Sequence, residues 1–135
     1  MAILEILTIL TIHFIADFVF QDENWAVNKS VSAKALLKHT VTYSYIWLLL
    51  GGIYCLINPE LQENYLWINY LIYFPSITFV SHTITDYFTS KIVKRKFNNG
   101  HYGGPIPNLG AFTIIGFDQL LHYAQLFLTY YILIK

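Results

Sequence analysis

Charge is what this chain has least of. Asp, Glu, Lys and Arg make up only 12 % of its 135 residues, about half the share in an ordinary soluble domain. Eight basic and eight acidic residues cancel, so net charge points to no polyanionic partner. No basic stripe is interleaved with aromatics, and a nucleic-acid groove is therefore excluded. Cysteine is nearly missing. The single Cys55 excludes an intrachain disulfide and a cysteine-based zinc site. It lies in an apolar run and reads as a small buried hydrophobe. No basic segment precedes the first apolar run, since the first Lys is Lys29. Residues 1–20 therefore read as a retained span and not as a signal peptide. Internal repeats and low-complexity tracts are also lacking.

Apolar residues are abundant, at 56 %, and aromatics reach 18 %. Four runs approach the roughly 20 residues that cross a bilayer as helix. They cover about 1–20, 35–57, 66–88 and 109–133. Pro75 should kink the third, which membrane helices tolerate. The expected fold is all-α: a polytopic four-transmembrane-helix bundle, up-down-up-down, formed by residues 1–135 as one integral membrane domain.

Three connections remain. Residues 21–34 are polar and read as a loop or short interfacial helix, with Trp25 at headgroup depth. Residues 58–64 form a short acidic turn. Residues 91–108 begin as a basic helix end and become a Gly/Pro loop. Lys29, Lys34 and Lys38 flank the first connection, and Lys91, Lys94, Arg95 and Lys96 lie in the third. The second holds only Glu60 and Glu63. The positive-inside rule then puts the first and third connections in the cytoplasm of an inner membrane and both termini outside, with Lys135 opposing mildly.

The apolar runs nevertheless contain Asp17, Asp86 and Asp118, with His13, His39, His82 and His122. Each Asp at a span centre costs about 2.5–3.5 kcal/mol. Such groups persist when paired, metal-bound or facing water. His13/Asp17, His82/Asp86 and Asp118/His122 are each spaced i,i+4, which puts each pair on one helix face. Gln21 and Gln125 extend two of these stripes, and Tyr43 follows His39 at i+4. The chain reverses at every connection, yet all seven groups fall at a similar depth near the cytoplasmic side.

Imidazole with carboxylate suits a divalent metal: zinc first, then iron or manganese. Seven candidate ligands exceed what one open zinc site needs. The surplus fits two ions, or one ion with outer carboxylates orienting its histidines. Gln21, Lys29, Lys38 and Gln119 are candidates for substrate contact, with Arg95 also at the mouth. His101 reads as an exposed loop residue, or as part of a lid formed by residues 100–110. Glu5 reads as reaching the outer interface, and Gly51 and Gly52 as permitting close helix packing.

The series His13-x3-Asp17-x3-Gln21, Asn28-Lys29-Ser30, His39, His82-x3-Asp86-Tyr87 and Asp118-Gln119-x2-His122 resembles a family of small bacterial and phage inner-membrane proteins of unknown function. The resemblance spans nearly the whole chain. It implies a compact polytopic helical domain with a polar centre. More loosely, the pattern is similar to membrane-bound metal-dependent hydrolases.

The expectation is a metal-dependent hydrolase at the cytoplasmic leaflet, acting on a phosphoester of a lipid or lipid-linked anionic substrate. The alternatives are an ion or proton transport component, or a structural, partner-binding membrane protein. The outer halves of the spans carry few polar groups, which disfavours a self-contained pore.

Overall fold

The computed structural model describes residues 3–63, 66–103 and 107–134. Lys135, the Glu60 and Glu63 side chains, and residues 104–106 of the connection read as a lid lie outside the described residues. The fold is all-helical, and no strand occurs among the described residues.

Helix α1 spans Ile3–Phe14 and runs straight into a π-helical turn, Ile15–Val19. The Phe20 N–H donates to the Ile15 carbonyl at 3.0 Å, an i→i+5 bond that defines the wider turn. A short α2, Glu23–Asn28, follows; the Asp22 carboxylate accepts from the Trp25 N–H at 3.1 Å. Ser32 caps α3, Ala33–Ile57, by accepting from the Ala35 N–H at 3.2 Å. Each such cap is worth about 1 kcal/mol. They resolve the first polar connection into a helix and a tight turn.

The expected acidic turn contains the short α4, Pro59–Glu63. Then α5, Leu66–Ile68, a second π turn, Asn69–Tyr73, and α6, Phe74–Asn98, follow one another directly. Pro75 lies in the first turn of α6, just after the π turn. The wider turn thus precedes the proline, whose missing N–H falls in the first turn of the helix. Helix α6 also continues through the basic residues, ten positions past the expected end of the third span. It ends in a Schellman motif: the Gly100 N–H donates to the Phe97 carbonyl and the His101 N–H to the Lys96 carbonyl, both at 3.0 Å. Gly100 supplies the required φ of 70°. Finally α7 spans Leu109–Ile134, capped by the Asn108 side chain.

Helix α6 packs against α3 and α7, and α1 packs against the same two. The result is a closed bundle of four long helical rods. Its apolar core, including Ile9, Ile12, Trp47, Phe74, Leu126 and Tyr130, fills the half away from α2. The other half of the interior is polar: His13, His39, Thr40, His82, Asp86 and His122 are buried there. Outside, large apolar residues such as Leu7, Phe14, Val41, Leu48, Val80 and Leu128 are exposed. By length and composition, Ala33–Ile57 is the one described helix able to cross a membrane, with a mean hydropathy of 1.5.

Candidate metal centre

The π turn at the end of α1 winds less per residue than an α-turn and so re-aims Asp17. The Asp17 side chain reaches across to α3 and α6. Its Oδ1 lies 3.2 Å from His39 Nε2 and 3.6 Å from His82 Nε2. On α6, Asp86 Oδ2 lies 3.0 Å from His39 Nε2 and 3.4 Å from His82 Nε2. The two Nε2 atoms are themselves 3.1 Å apart. Asp17, His39 and His82 thus bring three donor atoms from three elements within 3.6 Å of one another. A tetrahedral ion with bonds of about 2.0–2.1 Å separates its ligand atoms by about 3.3–3.4 Å. The three edges of this cage lie close to that spacing, and the donor set fits a divalent ion. Asp17, His39 and His82 form one group that could hold a metal, and His82, Asp86 and His122 form another.

The ring of His82 is fixed by stacking. Tyr43 lies parallel to it at 3.8 Å between centroids, and His122 stacks on it at 4.2 Å. His122 Nε2 stands 3.6 Å from Asp86 Oδ1 and 3.6 Å from Asp118 Oδ2, too far for hydrogen bonds. Neither of its ring nitrogens has a hydrogen-bond partner, and His82 Nδ1 has none. Buried nitrogens left this way are costly, and a ligand role for His122 Nε2 would satisfy one of them.

His13 is buried beside the cage, but both its nitrogens are engaged elsewhere. Nε2 donates to Gln119 Oε1 at 2.8 Å, and the Tyr43 hydroxyl donates to Nδ1 at 2.8 Å. Gln119 Nε2 in turn donates to Asp17 Oδ2 at 3.1 Å and Asp118 Oδ2 at 3.3 Å. The chain Tyr43–His13–Gln119–Asp17 orients the carboxylate that faces the cage. His13 stands 3.9 Å from Asp17; Gln119 bridges them.

Lys29, at the C-terminal end of α2, also reaches in. Its ammonium donates to both oxygens of Asp86, at 2.9 and 3.0 Å. Burial pulls its pKa down, but Asp86 and Asp17 outweigh burial and hold it above the ordinary lysine value.

Beside the cage opens a cavity of about 470 Å³. Asp17, Lys29, Asp118 and Gln119 line its polar side, together with Gln21, Ser30, Ser90 and Lys94. Phe18, Val27, Val93, Phe97 and Ile115 form apolar walls. Ser30 Oγ, Ser90 Oγ and Asp118 Oδ1 are buried atoms without a hydrogen-bond partner.

Of the residues expected from sequence, His13, Asp17, His39, His82, Asp86, Asp118, His122, Lys29 and Gln119 gather here, and Gln21 lines the cavity wall. Lys38 does not join them; it is exposed, with its ammonium 5.1 Å over the Trp25 ring. His101 is exposed. Glu5 turns inward to line a small cavity of about 20 Å³ with Tyr54, Tyr70 and Tyr130. Gly51 and Gly52 do face the neighbouring rod, at Tyr70 and Leu71. The orienting role of Tyr43 and the cavity positions of Ser30, Ser90 and Lys94 were not read from sequence. Tyr43 gave a signal in its i+4 spacing from His39, and Ser30 in the Asn28-Lys29-Ser30 run; Ser90 gave none.

No curated protein and no solved structure matches the chain. A family model does, over residues 6–135. The chain belongs to the family described as a protein of unknown function, DUF3307.

Proposed function

We propose that this chain is a divalent-metal-dependent hydrolase, embedded as a four-span bundle in the inner membrane and acting on a lipid-linked phosphoester at the cytoplasmic leaflet. The observation that carries the reading is the cage of Asp17, His39 and His82, two imidazoles and a carboxylate, opening beside the 470 Å³ cavity. Zinc suits this donor set best, ahead of iron or manganese. The apolar exterior and polar interior support a bilayer as the surroundings of all four rods. Basic residues at the cavity end support a cytoplasmic mouth.

An ion held there supplies Lewis acidity and lowers the pKa of a water toward 7. The rest falls to the chain itself. The apolar walls accept hydrocarbon. Lys29 uses two N–H groups on Asp86 and has a third for an anion in the cavity. Lys94 and the unpaired hydroxyls of Ser30 and Ser90 offer further donors to phosphate oxygens. Asp118, lining the cavity with Oδ1 unpaired, takes the proton from water as the new P–O bond forms. It returns that proton to the alcohol oxygen as the ester bond breaks. Products are an inorganic or lipid phosphate and an alcohol.

Transport is the weaker reading. The half of the bundle away from the cavity is filled by Trp47, Phe74, Leu126 and Tyr130, so the polar centre opens to one side.

The test uses full-length chain purified in detergent. Stoichiometric metal together with release of phosphate from lipid phosphoesters, both lost in His82→Ala, supports the proposal. Bound metal without turnover on any lipid phosphoester sinks the hydrolase. Proton flux in liposomes that vanishes in Asp17→Asn would put transport in its place.

A further inference from the structure

Resting on the metal reading above, we infer that the centre takes one divalent ion and not two, because the Lys29 ammonium occupies the position of the second cation. The first ion belongs to Asp17, His39 and His82, and a second would need Asp86. Asp86 Oδ2 faces His39 and His82 at 3.0 and 3.4 Å. Oδ1 faces His122 at 3.6 Å, and His122 faces Asp118 Oδ2 at 3.6 Å. Those three atoms are the remaining ligands from which a second site, bridged by Asp86, would be built. Lys29 Nζ already sits on both Asp86 oxygens, 2.9 Å from Oδ1 and 3.0 Å from Oδ2. An ammonium held by that carboxylate repels a metal ion placed on the same group in a buried setting.

Charge leads to the same count. Asp17, Asp86 and Asp118 bring three negative charges, and Lys29 returns one positive charge. With neutral histidines, two negative charges remain uncompensated in the interior, which is costly. One divalent ion cancels them. A second would leave an excess of two positive charges in the same small volume. Without Lys29 the balance shifts toward further cation, and the Asp86 Oδ1–His122–Asp118 group becomes free to take it. Lys29 is thus a positioning residue that fixes the nuclearity of the site.

Cobalt titration of metal-free full-length protein in detergent, followed by visible absorption, tests this. Wild type should saturate at one equivalent per chain, Lys29→Met at two, and Lys29→Arg at one. Adding His122→Ala to Lys29→Met should restore saturation at one. A wild type that saturates at two overturns the inference, as does a folded Lys29→Met that stops at one. A wild type that takes no metal overturns the metal reading as well. Should Lys29→Met fail to fold, manganese-loaded wild type decides by electron paramagnetic resonance. An uncoupled six-line spectrum supports one ion, and an exchange-coupled pair overturns it.

Discussion

His39 Nε2 and His82 Nε2 lie 3.1 Å apart, across the α3–α6 contact, with both atoms aimed at Asp17 and Asp86. Two nitrogens at this distance either share one proton or share one ion. A proton satisfies a single N–H···N bond. An ion satisfies both nitrogens and the Asp17 carboxylate together. Replacing either histidine by Ala should therefore abolish stoichiometric metal, read by elemental analysis of purified protein. Retention of full stoichiometry in both variants would show that the two rings do not share an ion.

His13 should behave differently, although it carries the same i,i+4 signature as His82. Its nitrogens are spent on Gln119 and Tyr43. Loss of a group that orients a ligand typically weakens metal affinity 10–100-fold. His13→Ala should keep one bound ion with affinity reduced by about that factor, measured by chelator competition. A complete loss of metal would make His13 a ligand.

That contrast marks where sequence stops being informative. Spacing at i,i+4 shows which face a side chain occupies, and it brought Asp17, His82, Asp86 and His122 to one interior. It does not say which of two atoms points inward, so His13 and His82 look equivalent in sequence while the bundle separates their roles. The four rods were legible as apolar runs because each is apolar on its outer side. The π turn at Ile15–Val19 was not, since nothing in IADFV differs from α-helical composition. Lys29 was legible as a basic residue near the mouth. Its bond to Asp86 depends on how α2 folds back, which polar loop composition does not encode. The start of residues 91–108 was legible as a basic helix end, but the reach of α6 to Asn98 was not, because the apolar run stops near Phe88 while backbone helicity continues through lysines.

The Lys29–Asp86 pair predicts an asymmetric stability response. Removing one partner of a buried ion pair costs about 3–5 kcal/mol, because the other is left charged and alone. Asp86→Asn should lower stability by about that amount in metal-free protein, measured by denaturant unfolding in detergent micelles. Lys29→Met added to Asp86→Asn should recover part of the loss. Two losses that simply add would mean the pair is not coupled.

Topology gives an outcome independent of chemistry. Cys55 is the sole cysteine and is buried, so Cys55→Ala provides a clean background. Exposed Asn98, at the basic end of α6, and exposed Gln62, in α4, lie in the third and second connections. In right-side-out vesicles a membrane-impermeant thiol reagent should label Gln62→Cys and spare Asn98→Cys. Labelling of both from outside would remove the third rod as a span.

Ser30 and Ser90 separate substrate binding from metal binding. Their hydroxyls lack protein partners, border the cavity, and are not among the cage atoms. A hydrogen bond to a charged group is worth about 1.5–3 kcal/mol, roughly 10–100-fold in binding. Ser30→Ala with Ser90→Ala should raise KM for a lipid phosphoester by about 10-fold or more, while metal content stays at the wild-type level. Lys94→Ala should act in the same direction, and more weakly at high salt, where screening has already reduced its contribution. If KM is unchanged while kcat falls, the hydroxyls serve the reacting atoms and not the binding of the anion. If metal is lost as well, the cavity and the cage cannot be treated as separate parts of the site.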